Sequence, residues 1–268
     1  MKPFLKWAGN KYRLLEKIKK ALPPGNRLIE PFVGSGALFL NSDYPRYLLA
    51  DHNADLINTF HHLKTEGGSF IAYCNTFFSQ DNNQADKFYD YRNLFNTTLD
   101  TRLKSALFIY LNKHCFNGLC RYNQKKLFNT PFGRYKKPYF PEKEMWFFHQ
   151  RAAKATFQHN DFLSAMTKAT PGDVVYCDPP YAPLTKTANF THYYADAFTS
   201  TQQRQLAEKA KQLANQGIPV IISNHYTDFI LEIYQHAEIQ LLDVQRNISC
   251  HGAQRKKVKE VIAVFASN

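Results

Sequence analysis

The chain has 268 residues, 44% of them hydrophobic and 21% charged, and carries a net charge of +12. Such a chain suits one large domain, or one domain with a sizeable insert, around an ordinary core, and its charge points to a polyanionic partner. No apolar run approaches the length of a membrane span, residues 1–6 lack a signal peptide's apolar region, and the cysteines (74, 115, 120, 177 and 250) show no Cys-x-x-Cys spacing. These features argue against a membrane protein, a disulfide framework and a zinc site. His114 lies close to Cys115 and Cys120 without a fourth ligand, so free thiols and a cytoplasmic protein are expected.

Residues 4–10 form a short N-terminal segment with Trp7 and Gly9. Leu14, Leu15 and Ile18 fall at helical spacing within residues 11–21, and Pro23-Pro24-Gly25 stops that helix. Arg27-Leu28-Ile29-Glu30 predicts a strand. It runs into Pro31-Phe32-Val33-Gly34-Ser35-Gly36 and an expected helix start at residues 37–40. Strand, glycine turn and helix make the βα unit that cradles a nucleotide-like cofactor, since glycine lets the backbone approach a ligand closely. On its own, Gly-x-Gly is explained as well by a plain turn. The next strand, residues 46–50, ends in Asp51, where a carboxylate can hold two ribose hydroxyls. The Gly-Lys-Ser/Thr of a P-loop is absent, and Phe39 occupies the third glycine position of a dinucleotide fold. The pocket therefore suits a nucleoside without a pyrophosphate, and S-adenosylmethionine fits.

Residues 54–141 change character, with helices expected at 54–64, 84–96 and 101–112 and no strand alternation. This stretch reads as an insert between two halves of a sheet. Residues 101–141 contain no Asp or Glu but nine Lys or Arg, at 102, 104, 113, 121, 125, 126, 134, 136 and 137. Phe116, Tyr122, Phe128, Phe132, Tyr135, Tyr139 and Phe140 are interleaved with them. A solvated face explains the charges alone, and core packing the aromatics alone. Together, in a loop rich in Gly, Pro and Asn, they suit phosphate contact with base stacking or wedging.

Helix returns over residues 142–155, and a strand at 156–159 ends in Asn160-Asp161-Phe162. Asp161 can bind a cofactor's adenine amino group, and a helix N-cap explains it equally well. The buried run 173–177 predicts a strand that ends in Asp178-Pro179-Pro180-Tyr181. Residues 182–200, with Asn189, Phe190, His192 and Tyr193, resemble a lid. A helix (201–216), a strand (218–223), a helix (227–235) and two closing strands (239–247 and 258–265) complete the chain. Arg255, Lys256 and Lys257 between the last two make either a second basic patch or a solvated turn.

Asp178-Pro179-Pro180-Tyr181 carries the sharpest chemistry. An amine conjugated into a heterocycle is a poor nucleophile, because its lone pair is delocalised into the ring. Two acceptors on its N–H groups draw the nitrogen toward a tetrahedral shape. The Asp178 carboxylate and Pro179 carbonyl are the candidates, in a backbone stiffened by Pro179 and Pro180, and the Tyr181 ring can stack on a base. The bland reading is a strand-ending turn.

The chain resembles the bacterial DNA adenine-N6 methyltransferases of the Dam type, which methylate adenine in GATC. The resemblance covers nearly the whole chain. It rests on Phe4-Leu5-Lys6-Trp7-Ala8-Gly9-Asn10-Lys11, Glu30-Pro31-Phe32-Val33-Gly34-Ser35-Gly36, Asn117-Gly118-Leu119-Cys120-Arg121-Tyr122-Asn123, Pro131-Phe132-Gly133-Arg134-Tyr135-Lys136-Lys137-Pro138-Tyr139 and Asp178-Pro179-Pro180-Tyr181. Asn10 stands where the family often has glycine, and Phe116 where it usually has tyrosine. The resemblance implies S-adenosylmethionine contacts from Trp7, Lys11, Asp51 and Asp178, with Glu30, Pro31, Phe32, Gly34, Ser35, Gly36, Asp161 and Phe162 around the cofactor. It implies that Arg121 and Tyr135 read base edges, that Lys6 helps at the outer guanine, and that Phe116 and Asn117 enter the duplex. Arg92, Asn123, Arg134 and Lys136 would hold phosphates.

The expected fold is α/β. A Rossmann-like S-adenosylmethionine methyltransferase sheet (residues 1–53 and 142–268) carries an inserted, mostly helical DNA-recognition domain (54–141). The partner is double-stranded DNA, in the cytoplasm at the nucleoid, with no metal and no obligate protein partner expected. Chemistry inside a stacked duplex requires the adenine to be flipped out. RNA adenine-N6 methylation shares the core chemistry. Protein-glutamine methyltransferases carry Asn-Pro-Pro-Tyr, from which Asp178 departs. A non-catalytic DNA-binding module would have no reason to keep the cofactor turn.

Overall fold

The computed structural model describes residues 1–182, 198–245 and 257–266. The expected lid residues Asn189, Phe190, His192 and Tyr193 lie outside these, as do Arg255 and Lys256.

Seven strands form one sheet: β1 (Arg27–Glu30), β2 (Arg46–Asp51), β3 (Ala155–His159), β4 (Asp173–Cys177), β5 (Val220–His225), β6 (Glu238–Gln245) and β7 (Lys257–Phe265). Their order is β3-β2-β1-β4-β5-β7-β6. The β1–β4, β2–β3 and β4–β5 pairs are parallel, and β7 runs antiparallel to β5 and β6. The fold is therefore mixed α/β and Rossmann-like, with the doubly wound reversal of strand order between β1 and β4. Every residue of β4 and β5 is buried, the signature of strands covered on both faces. The strand expected from residue 218 begins at Val220, because Pro219 has no N–H for the ladder; its carbonyl accepts from Val175 instead.

The chain divides into two compact units, Met1–Leu15 with Val33–Asn160, and Glu16–Phe32 with Asp161–Asn268. The first holds β2, β3 and the helices α2 (Ala54–Glu66), α3 (Gly68–Asn75), α4 (Ala85–Thr97), α5 (Thr101–His114) and α6 (Glu142–Ala152). Its core is aromatic. Phe60 and Phe148 lie 4.7 Å apart, and Phe4, Phe39 and Phe157 pack around them. Helix α3 escapes the sequence pattern because it opens on Gly67-Gly68. Gly67 ends α2 at φ +53°, and a Cβ there would lie 2.7 Å from the His149 ring.

The second unit holds β1, β4–β7 and the helices α7 (Phe162–Met166), α8 (Ser200–Asn215) and α9 (Asp228–Ile233), with most of α1 (Leu15–Ala21). The register of β1 against β4 is pinned at its base. Arg27 is paired with Asp173, and their side chains bridge at 2.5 Å. Burial raises the Asp173 carboxyl, but Arg27 and the Thr170 N–H and hydroxyl outweigh it and hold it below the ordinary value.

One expectation is overturned. The helix start at residues 37–40 is only a 3-10 turn, Phe39–Asn41. The Asn41 side chain donates to the Ala37 carbonyl and closes the turn, and Ser42 after it is already extended.

Among the described residues no helix is long and apolar enough to cross a membrane.

Candidate active site

In the first unit, the N-terminal segment folds onto the glycine turn. Gly34 and Gly36 adopt φ +49° and +73°. A Cβ on Gly34 would lie 2.8 Å from the Trp7 indole nitrogen, so only glycine lets the ring lie against this backbone. Asn10 caps the 3-10 turn Lys11–Leu14 by accepting from the Tyr12 N–H, and its amide donates to Ser35 Oγ at 2.7 Å. The Lys11 ammonium donates to the Gly9 carbonyl at 2.7 Å. At the end of β2, the Asp51 carboxylate accepts from the N–H groups of Gly34 and Asn53, each at 3.0 Å. Burial raises the Asp51 carboxyl, against the pull of those two N–H groups. Trp7, Gly34 and Asp51 are thus brought together as a cradle, with Asn10 bonded to Ser35 and Lys11 to Gly9.

In the second unit, Glu30 ends β1 and Asp178 directly follows β4, so two carboxylates stand at the carboxyl ends of paired strands at the reversal of strand order. Pro31 is buried beside Glu30, and the rings of Phe32 and Phe162 stack at 5.5 Å with Phe198 edge-on to both. Asp161 is the N-cap of α7 and accepts from the Ser164 N–H and hydroxyl, which hold its carboxyl below the ordinary range.

The 178–181 turn is gripped from three elements. Gln203 of α8 donates to the Pro180 carbonyl at 2.9 Å. Asn224 of β5 accepts from the Ala182 N–H at 3.2 Å, and the His225 ring meets the Ala182 carbonyl at 2.7 Å. The Tyr181 hydroxyl donates to Glu260 of β7 at 3.1 Å, and its ring stands edge-on to His225 at 4.7 Å. Burial, then the negative charges of Asp178 and Glu260, push the Tyr181 phenol well up, so the ring stays neutral. Gln203, Asn224, His225 and Glu260 have no local sequence signal, because spacings of twenty residues or more carry none; only the fold gathers them.

The basic and aromatic set lies in the first unit, and the structure sorts it. Phe128 is buried against Phe95, Phe132 packs on Phe88 and Phe140 on Phe78, while Phe116 is 51% and Tyr139 59% exposed. Lys6, Asn117 and Tyr135 are brought together. The Lys6 ammonium lies 4.3 Å from the Tyr135 ring centre, and the Tyr135 hydroxyl accepts from the Asn117 N–H at 3.0 Å. A Cβ on Gly118 would lie 2.4 Å from Lys6 Cδ. Arg121 donates to the side chain and carbonyl of Asn129, and Arg92 donates to the neighbouring Thr130 carbonyl. Asn123 accepts from the N–H groups of Lys125 and Leu127 and builds the turn there. Arg134 and Lys136 are exposed, Arg134 at φ +55°.

Among the described residues no group of three or more His, Cys, Asp or Glu is placed to hold a metal ion. Burial pushes the Cys115 and Cys120 thiols up to about 12, which leaves them unreactive near neutrality.

The model of the D12 class of N6 adenine-specific DNA methyltransferases matches residues 7–248. The DNA adenine methylase of Serratia marcescens is 48% identical over 263 residues, covering 98% of this chain and 97% of that protein. Those of Escherichia coli K12 and of Vibrio cholerae El Tor are also 48% identical, over 98% of this chain and 94% and 95% of theirs. With that model matching residues 7–248 and relatives 48% identical along nearly the whole length, the chain belongs to the D12 class of N6 adenine-specific DNA methyltransferases.

Proposed function

We propose that the enzyme transfers methyl from S-adenosylmethionine to N6 of an adenine flipped out of duplex DNA, within GATC. The observation that carries this is the placement of the 178–181 turn: Asp178 and the Pro179 carbonyl follow a buried strand at the sheet's reversal point, and Glu30 ends the strand paired with it. The cradle fits the cofactor. In the first unit Gly34 and Gly36 leave room for close approach and Asp51 is a half-buried acceptor; in the second, Glu30 and Asp178 are carboxylates that suit a sulfonium's positive charge. Trp7, Lys11, Glu30, Pro31, Phe32, Gly34, Ser35, Gly36, Asp51, Asp161, Phe162 and Asp178 would hold it.

S-adenosylmethionine supplies an electrophilic methyl group. Asp178 and the Pro179 carbonyl accept the two N6 hydrogens and free the nitrogen lone pair, and Tyr181 stacks on the extruded base. Flipping costs about a few kcal/mol, which stacking and hydrogen bonding in the pocket offset. Residues 54–141 supply recognition. Arg121, Tyr135 and Lys6 read base edges, Phe116 and Asn117 enter the duplex, and Arg92, Asn123, Arg134 and Lys136 hold phosphate. The enzyme would act in the cytoplasm at the nucleoid, without a metal or an obligate protein partner.

The test incubates unmethylated GATC duplex, a first-base variant and an RNA hairpin with methyl-labelled S-adenosylmethionine. Label on adenine N6 of GATC, with the matching change in sensitivity to methylation-dependent nucleases, is expected. Label on cytosine, on RNA alone or on protein overturns the reading.

A further inference from the structure

The 178–182 turn is held by two buried amides that the proposed reaction does not use. Gln203 and Asn224 are 1% and 0% exposed. Gln203 Nε2 donates to the Pro180 carbonyl, and Gln203 Oε1 accepts from Asn224 Nδ2 at 3.0 Å. Asn224 Nδ2 also meets the Tyr234 hydroxyl at 3.2 Å, and Asn224 Oδ1 accepts the N–H groups of Ala182 and His225. Each amide therefore has one possible orientation, since flipping either would set donor against donor. Burying two amides stabilises nothing that an apolar pair would not, unless they fix a geometry.

What they fix is backbone. With φ of Pro179 and Pro180 locked by their rings, holding the Pro180 carbonyl and the Ala182 N–H leaves the intervening peptides little freedom. The Pro179 carbonyl, one peptide upstream, inherits that orientation. We propose that Gln203 and Asn224 are positioning residues for methyl transfer: an amide pair that aims the Pro179 carbonyl and the Tyr181 ring at the target amine. This rests on the reading of 178–181 as the amine-holding site.

Three variants test it: Gln203→Met, which keeps the volume and removes both bonds; Gln203→Glu, which keeps the Asn224 contact but loses the donor to Pro180 when ionised; and Tyr234→Phe, which removes one bond of the same network without touching the turn. The readouts are single-turnover methylation of a GATC duplex, equilibrium affinities for S-adenosylhomocysteine and duplex, and melting temperature. Both Gln203 variants should slow the transfer step about tenfold, the scale of one buried hydrogen bond, with both affinities within about twofold. Tyr234→Phe should lower the melting temperature and keep the rate within about twofold. Gln203 variants that transfer at the wild-type rate, that lose rate only in step with affinity, or that do not fold while Tyr234→Phe does, overturn the proposal. Wild-type enzyme that places no methyl on adenine overturns the functional reading instead.

Discussion

Between Pro180 and Ala182 the chain is held by buried side chains of α8, β5 and β7, and Tyr181 by Glu260. Between Cys115 and Lys136 buried rings anchor the chain, Phe128 on Phe95 and Phe132 on Phe88, while its turns are tied by its own groups. Two isolated bridges, Cys115 with Phe132 and Tyr122 with Phe128, tie it together, and Asn117, Lys126 and Arg134 take the left-handed conformation that non-glycine residues rarely adopt. The contrast matches the two proposed tasks. Placing acceptors on an amine requires a fixed backbone. Meeting phosphates and base edges requires exposed cations and rings on loops, as Phe116, Arg134 and Lys136 are.

Breaking the held region should cost most. Asp178→Ala removes a proposed acceptor and should lower single-turnover methylation by about 10³-fold, the scale of losing one preorganised polar partner. Duplex affinity should stay near wild type, because no role in the duplex contact is assigned to it. A variant that keeps a tenth of the rate would remove Asp178 from the chemistry.

The exposed region has a weaker point of its own beneath it. His114, at the end of α5, is 1% exposed, donates from its ring to the Tyr110 carbonyl and stacks on Tyr110 at 3.9 Å. Burial, with a smaller contribution from Lys6, lowers its pKa to about 4, although the Tyr110 carbonyl pulls the other way. Above the unfolded value near 6.5 both states are neutral. As pH falls from there to about 4, the unfolded chain binds a proton that the folded chain does not. Stability should therefore drop by up to about 3 kcal/mol across that window and level off below it. Urea midpoints from pH 7 to 4 should fall in the wild type and fall less in His114→Gln, most clearly above pH 5, where the carboxylates of Asp161 and Asp173 do not yet titrate.

Gly34→Ala probes the proposed cofactor cradle. The left-handed backbone costs about 1–2 kcal/mol for a residue with a Cβ, and the new methyl meets the Trp7 indole at 2.8 Å. The free turn can relieve this cost by moving off the indole and must restore it on binding, so affinity for S-adenosylhomocysteine should fall about tenfold, with duplex affinity unchanged; equal loss of both would mean that the turn supports the fold and not the ligand.

How legible these regions were follows from the range of their contacts. Strands β4 and β5 announce themselves as apolar runs, and helices α2, α4 and α5 by periodicity. The 178–181 turn and the 31–36 turn are local motifs. The network around Asn224 joins residues tens of positions apart, and no spacing rule reaches it. The helix expected after Gly36 is only a 3-10 turn, Phe39–Asn41, closed by the Asn41 side chain on the Ala37 carbonyl, a contact that periodicity does not show. In the basic stretch, composition cannot tell the packed ring of Phe128 from the exposed ring of Phe116, since both sit between polar neighbours.

The smallest effects separate reader from anchor inside the exposed region. Asn129 engages Nε and Nη2 of Arg121, which restricts the guanidinium before any DNA arrives. A bidentate contact from such an arginine to guanine carries about 1–3 kcal/mol of discrimination. Arg121→Ala should therefore bring GATC and first-base variants closer together in methylation rate, and Asn129→Ala should do the same more weakly by freeing the side chain. Lys136 is exposed, and its backbone is held by Asn83, which donates to its carbonyl at 3.2 Å. Its ammonium would meet phosphate, which carries no sequence information. Lys136→Ala should weaken all duplexes alike and make the log–log salt slope shallower by about 1. Binding and single-turnover rates on GATC and first-base variants at several salt concentrations distinguish the two. If Arg121→Ala weakens every site equally, or Lys136→Ala alters the preference among sites, the stretch acts as a general electrostatic surface and its residues have no separate roles.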